Sequence, residues 1–367
     1  MIAFPQFAFT IGCAPHLRCS INTILTWQKY VWRRWNKFRC SVGIKLRRME
    51  VSISSITAVV CFISANSAGL PLVIPDADSA AFVGLHYLYP LIAISIFGIV
   101  STINKRGSLN GFDRSAALVS IFCYATVIYA YFSVKLWMPH IRDVTFDRFL
   151  WSVDLHLYGI VQACMEIRRG LSPLIPYDAN AYMLVYIAAF YVGLIGQARL
   201  APDHLRELIL ACIVMQIIGT LGYLAFPAVG PFIYERGINP VISRQQQGMW
   251  EFYQNSLAFG PTWLRTHASS AFTAGLAAMP SLHVSGMTLF FLNACRRTRP
   301  LAPLFGVLLV FIAVSSIANR WHYILDVPAG ALVAFASLWL AEKLIAWDRD
   351  SLTKLPPCRA DRLSTSS

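Results

Sequence analysis

Eight apolar runs constrain this chain more than any other feature. They cover residues 51–74, 80–103, 115–138, 181–198, 208–229, 281–295, 301–318 and 324–346. The hydrocarbon core of a bilayer is about 30 Å thick and takes about 20 helical residues to cross. In lipid, only helices and closed barrels satisfy every backbone N–H and C=O, and these runs are continuous rather than alternating. The sequence therefore predicts an all-α fold, a polytopic membrane helix bundle of about eight spans. The sixth run is short, and Pro71 and Pro90 are placed to kink the first two. Charged residues make up only 13% of the 367, about half the share usual in soluble domains. That excludes an ordinary water-soluble globule and a disordered chain.

The formal net charge of +13 would suggest nucleic acid in a soluble protein. In a polytopic chain it is first a statement about topology. With a cytoplasmic N-terminus, segments 1–50, 104–114, 199–207, 296–299 and 347–367 lie inside and together carry 21 Lys and Arg. The opposite connections 75–79, 139–180, 230–280 and 319–323 carry eight. The positive-inside bias thus predicts both ends in the cytoplasm and both long connections, 139–180 and 230–280, on the periplasmic or lumenal side. The expected partner is the bilayer, and no nucleic acid.

Residues 1–50 form a basic N-terminal segment with two readings. Lys29, Arg33, Arg34, Lys37, Arg39, Lys45, Arg47 and Arg48 alternate with Trp27, Tyr30, Trp32, Trp35 and Phe38, as in a helix lying on anionic headgroups. The same residues also serve as an inside anchor that only fixes topology. The opening residues lack the basic start of a secretory signal. The nine cysteines have neither disulfide nor metal-site spacing and read as small apolar side chains or inert thiols.

Two segments concentrate the chemistry: Pro280-Ser281-Leu282-His283 at the start of the sixth run, and Arg320-Trp321-His322-Tyr323-Ile324-Leu325-Asp326 at the start of the eighth. Ionisable groups at membrane spans are costly and need a reason. The topology puts His283 and His322 at the same ends of their spans, where they can share a site. His322 and Asp326, four apart, stack on one face if helical. A carboxylate accepting the Nδ1 proton leaves Nε2 as a nucleophile, and His283 is suited to protonate a leaving group. Ser281 and the first amides of the sixth helix would supply donors to an anionic group such as phosphate. The isolated His16, His86, His140, His156, His204 and His267 read as surface or interface residues.

These two segments resemble the second and third signature motifs of the type 2 phosphatidic acid phosphatase superfamily. Leu282 before His283, and Trp321-His322-Tyr323 with Asp326 and Gly330, look most like the branch containing fungal inositol phosphorylceramide synthase. Phe226-Pro227-Ala228-Val229-Gly230-Pro231 also looks like that branch. The resemblance covers about residues 115–346, implying a six-helix catalytic core, with 51–114 as two accessory helices and 347–367 as a cytoplasmic tail. It implies metal-independent phosphoryl transfer with no cofactor. His322 would form a phosphohistidine, Asp326 would orient it, and His283 would act as acid and then base. The substrate would be a phospholipid or sphingolipid-type molecule, and the acceptor either water or an alcohol such as inositol.

The superfamily's first motif, a Lys followed after six residues by Arg-Pro, has no match; the only Arg-Pro is Arg299-Pro300. Ser316 stands where an arginine normally precedes the third-motif histidine by six. A phosphate still needs positive charge nearby. Arg320 is the first candidate, with Arg265 and Arg236 behind it. Trp137, Trp151, Trp250 and Trp263 are expected near the interface as anchors of a lid formed by the long connections. The competing classes are a transporter and a catalytically inactive structural homologue. A transporter would be expected to show inverted repeats or mid-span charges, and Lys135 lies close to a span end. The complete His, His and Asp set argues against an inactive homologue.

Overall fold

The computed structural model describes residues 49–75, 114–175, 181–272 and 278–353. Most of the basic N-terminal segment, the second apolar run and most of the C-terminal tail lie outside the described residues. Nearly all that is described belongs to one compact unit, Met49–Arg349. It contains ten α-helices and, among the described residues, no strand. The fold is an all-α membrane helix bundle.

Among the described residues, five helical segments are long and apolar enough to cross a membrane. They are α1 (Met49–Ser67), most of α5 (Ala181–Leu200), α6 (Leu205–Ala225) with the turn before it, α9 (Ala302–Ala318) with the turn before it, and α10 (Asp326–Thr353) as far as Asp348. The third expected span is α2 (Arg114–Ile141), whose 28 residues extend about 42 Å at 1.5 Å per residue. The sixth is α8 (Leu282–Arg297), whose 16 residues reach only about 24 Å. Ten of them are buried, among them Ser285, Thr288 and Asn293. A helix buried over most of its length and packed by α5, α6 and α9 has protein more than lipid as its solvent. That explains how it can be short. It is held closely: a Cβ on Gly219 of α6 would come within 2.4 Å of the Leu282 side chain, the small-residue contact by which membrane helices approach.

The two long connections are not loops. The first folds into α3 (Asp147–His156) and α4 (Tyr158–Gly170), and the second contains α7 (Pro240–His267). Asn239 caps α7, its side chain accepting from the amides of Val241 and Ile242, with Pro240 at the first helical position. A kink at Gly260, φ 77°, followed by Pro261 divides that helix. Helix α4 packs Val161, Cys164 and Met165 against Ile317 and Ala318 of α9. Trp137, expected as an interface anchor, is instead in the core, 1% exposed with Nε1 donating to Pro71 O at 2.9 Å. The indole needs a partner once buried, and the chain after α1 supplies it.

At the end of the bundle away from the histidines, three spans are joined by one arginine. Arg206 of α6 donates to both oxygens of Glu50 in α1, at 2.6 and 2.7 Å, and also to Asp348 in α10. Both carboxylates are about fully buried, at 1% and 2% exposed. Removing the cation from a buried cluster strands its partners and costs about 3 kcal/mol or more. Arg206→Gln is therefore expected to lower the thermal unfolding midpoint of the detergent-solubilised protein by several degrees, and the double variant with Glu50→Gln to recover part of the loss.

Candidate active site

The start of α8 and the start of α10 form one unit. Ser281 caps α8, its hydroxyl accepting from the amide of Val284 at 3.4 Å. Its own amide donates to Asp326 O at 3.1 Å. The Ser285 hydroxyl lies 2.9 Å from Ser281 O and 2.8 Å from Gly330 O. Ser281 is fully buried, so the residue expected to bind phosphate through its hydroxyl serves as helix cap and seam. Gly330 is required by that seam: a Cβ there would stand 2.4 Å from Ser281 O.

His322 lies in the turn before α10 rather than on it, and Asp326 is the first residue of that helix. The two meet as expected, but through the turn. His322 Nδ1 is 2.8 Å from Ala278 O and 3.2 Å from Asp326 Oδ2. A carbonyl can only accept, so Nδ1 carries the proton and Nε2 of the neutral ring holds the lone pair. Asp326 Oδ2 also accepts from the amide of Tyr323 at 2.8 Å, and its charge sits in the first turn of α10, where the helix dipole favours it. The His283 ring is 6.1 Å from that of His322, centroid to centroid, and is flanked edge-on by Tyr182 and Tyr186 of α5 at 5.2 and 4.7 Å.

The turn from α9 into this site is a Schellman ending. The amide of Arg320 donates to Ile317 O and that of Trp321 to Ser316 O, both at 3.0 Å. The left-handed position of such an ending usually holds glycine; here it holds Arg320, φ 57°, at a backbone cost of about 1–2 kcal/mol. Its side chain is fully buried. Nη2 donates to Asp154 Oδ2 at 2.9 Å, Nε is 3.2 Å from Glu235 Oε2, and the guanidinium lies 5.3 Å from the centroid of Trp151. Arg320, expected as the cation nearest the phosphate, has its charge opposed by two carboxylates.

Helix α3, which the sequence left as polar connection, supplies two buried aspartates seven residues apart and so on one face. Asp147 accepts from the amides of Val229 and Gly230 and from the Tyr323 hydroxyl, at 2.8 to 2.9 Å. Asp154 accepts from Arg320 and, through Oδ1, from the amide of Ile324 at 2.9 Å. Burial pushes the Asp154 carboxyl above its usual range, opposed by the Ile324 amide and Arg320. The Gly237 backbone lies directly against Asn319, leaving no room for a side chain: a Cβ would be 2.5 Å from the Asn319 carbonyl carbon.

Arg265 and Arg236 are exposed, Arg265 in the last turn of α7, and among the described residues neither shares a hydrogen bond or ion pair with the histidines. A further cation, Lys135, lies in α2. Its ammonium lies 5.5 and 5.9 Å from the ring centroids of Tyr131 and Tyr223. Arg142 follows Lys135 after six residues, the first-motif spacing, with Asp143 in place of proline.

The structure is thus an all-helical membrane bundle with two facing histidines and a carboxylate near one another. The comparison with family models is specific: residues 148–340 match the PAP2 superfamily, more than half the chain, and the protein belongs to that superfamily. No curated protein and no solved structure matches it.

Gly330→Ala tests the seam. The added methyl meets backbone, which cannot swing away, and is expected to cost about 2 kcal/mol. The measurement is the unfolding midpoint in detergent, and an unchanged midpoint would show that α8 and α10 are not in this register.

Proposed function

We propose that the protein is a lipid phosphatase or phosphotransferase that works through a phosphohistidine on His322, with its site on the periplasmic or lumenal face. The observation that carries this reading is the pair of acceptors on His322 Nδ1, which leaves Nε2 as the reactive atom beside a second histidine. In the first step Nε2 attacks phosphorus, the Nε2–P bond forms, and the bond from phosphorus to the leaving oxygen breaks as protonated His283 gives that oxygen its proton. Asp326 and Ala278 O hold the Nδ1 proton while the ring carries charge. In the second step neutral His283 takes a proton from water or an alcohol, whose oxygen attacks phosphorus and releases Nε2. Lys135 supplies positive charge toward the phosphoryl oxygens, and its spacing to Arg142 supports that role. Transfer to an alcohol such as inositol, as in the branch that the motifs resemble, is the finer form of this reading; transfer to water is the simpler one. The lipid enters from the bilayer, and the excess of Lys and Arg on the opposite connections supports the side proposed.

The full chain, purified in detergent, is offered labelled phosphatidic acid and labelled phosphatidylinositol, with and without a free alcohol and with and without a chelator. His322→Ala is expected to lose at least about a thousandfold in turnover, since it removes the nucleophile. His283→Ala removes the acid of the first step and the base of the second and is expected to lose at least about a hundredfold in turnover. Activity retained by His322→Ala would refute the phosphohistidine, and loss of activity in chelator would point to a metal.

A further inference from the structure

The loop that carries His322 is bracketed by one side chain of another helix. Asp154 of α3 takes the Arg320 guanidinium on Oδ2 and the Ile324 amide on Oδ1, each at 2.9 Å. These attachment points lie two residues before and two residues after His322. We propose that Asp154 is a positioning residue for His322, acting through Arg320 and the Ile324 amide to set where the imidazole stands. The inference rests on the reading of His322 as the nucleophile.

Four observations support it. Arg320 occupies a left-handed backbone position that a helix ending would normally give to glycine, so the side chain has a use that outweighs the strain. That side chain is fully buried, and its charged contacts among the described residues are Asp154 and Glu235. Glu235 is in turn the acceptor of the Tyr158 hydroxyl at the start of α4, so both short helices bear on the same arginine. Asp154 is also fully buried, and a carboxylate is expensive there unless each oxygen is paired. Here each oxygen has a partner, and both partners belong to the His322 loop. Tyr323 is fixed in the same way, its hydroxyl bound by Asp147 one heptad earlier. Arg320 is thus a strut between α3 and the loop rather than a hand for the phosphate.

The test compares Asp154→Asn, Asp154→Ala and Arg320→Gly in the full chain. Asparagine keeps an oxygen for the Ile324 amide and loses the charge opposite Arg320; alanine loses both. A displacement of about 1 Å at a reacting group can cost about a hundredfold. The expected order of kcat is wild type, then Asn about tenfold lower, then Ala about a hundredfold lower, with KM and competitive inhibition by inorganic phosphate within about twofold. Arg320→Gly, which relaxes the backbone but removes the strut, should also lose kcat and keep its inhibition by inorganic phosphate.

Hydrogen exchange at 319–325 gives a reading independent of catalysis. The Ile324 amide should exchange faster in Asp154→Ala than in Asp154→Asn. If His322→Ala proves active, the nucleophile assignment fails on that result, while exchange still decides whether Asp154 holds the loop. The inference is overturned if kcat per folded molecule is unchanged in Asp154→Asn. It is also overturned if KM rises with kcat intact, or if Arg320→Gly weakens inhibition by inorganic phosphate in proportion to its loss of turnover. Should Asp154→Ala fail to fold, the Asn and Gly variants decide alone.

Discussion

The contact between the start of α8 and the start of α10 is the constraint on which the site depends. The Ser281 amide binds Asp326 O, the Ser285 hydroxyl reaches Gly330 O, and His322 Nδ1 binds Ala278 O. Two segments about forty residues apart in sequence are thereby made one piece. The last of these bonds also sets the imidazole tautomer, so the bond that joins the segments also prepares the nucleophile proposed for them. Within a protein-enclosed environment such bonds are stronger than in water and an unmade one is costlier. A polar seam can therefore fix the relative height of two membrane helices that dispersion alone would let slide.

Charge near the site is divided between two arrangements. Arg320 faces the carboxylates of Asp154 and Glu235. Lys135 is bounded by aromatic rings instead of carboxylates, and ring faces attract an ammonium without neutralising it. A count of basic residues along the connections does not distinguish these cases, because what matters is which side chains face each cation. Arg320, two residues before His322, faces two carboxylates, whereas Lys135 faces two aromatic rings.

The bundle was legible in the sequence because lipid demands long continuous apolar runs, and the His283, His322 and Asp326 set was legible because its chemistry falls in two short segments. The connections were not. Helices α3 and α4 are 10 and 13 residues long, with polar and apolar residues mixed as on any half-buried short helix, and they read as polar connection between spans. Asp147 and Asp154 look like surface carboxylates until the loop they bind is folded against them. Trp137 reads as an anchor by type and position, and only the carbonyl of Pro71 reveals that its ring belongs inside. His322 and Asp326 were paired by helical spacing, whereas the contact is made by a turn closing onto a helix start.

Arg320 shows how such a site can be found where pattern is silent. At Gly237 and Gly330 the residue obeys the local rule, since neighbouring backbone leaves no space for a side chain. At 320 the rule is broken: a helix ending that prefers glycine carries an arginine, at a backbone cost of about 1–2 kcal/mol. Local strain persists where surrounding structure over-determines it, and it tends to gather at functional sites. Here the over-determination comes from α3, whose buried aspartate needs a cation as much as the strained arginine needs an anchor. Neither residue is explicable alone, and together they tie the polar connections to the loop between α9 and α10, which makes those connections part of the site.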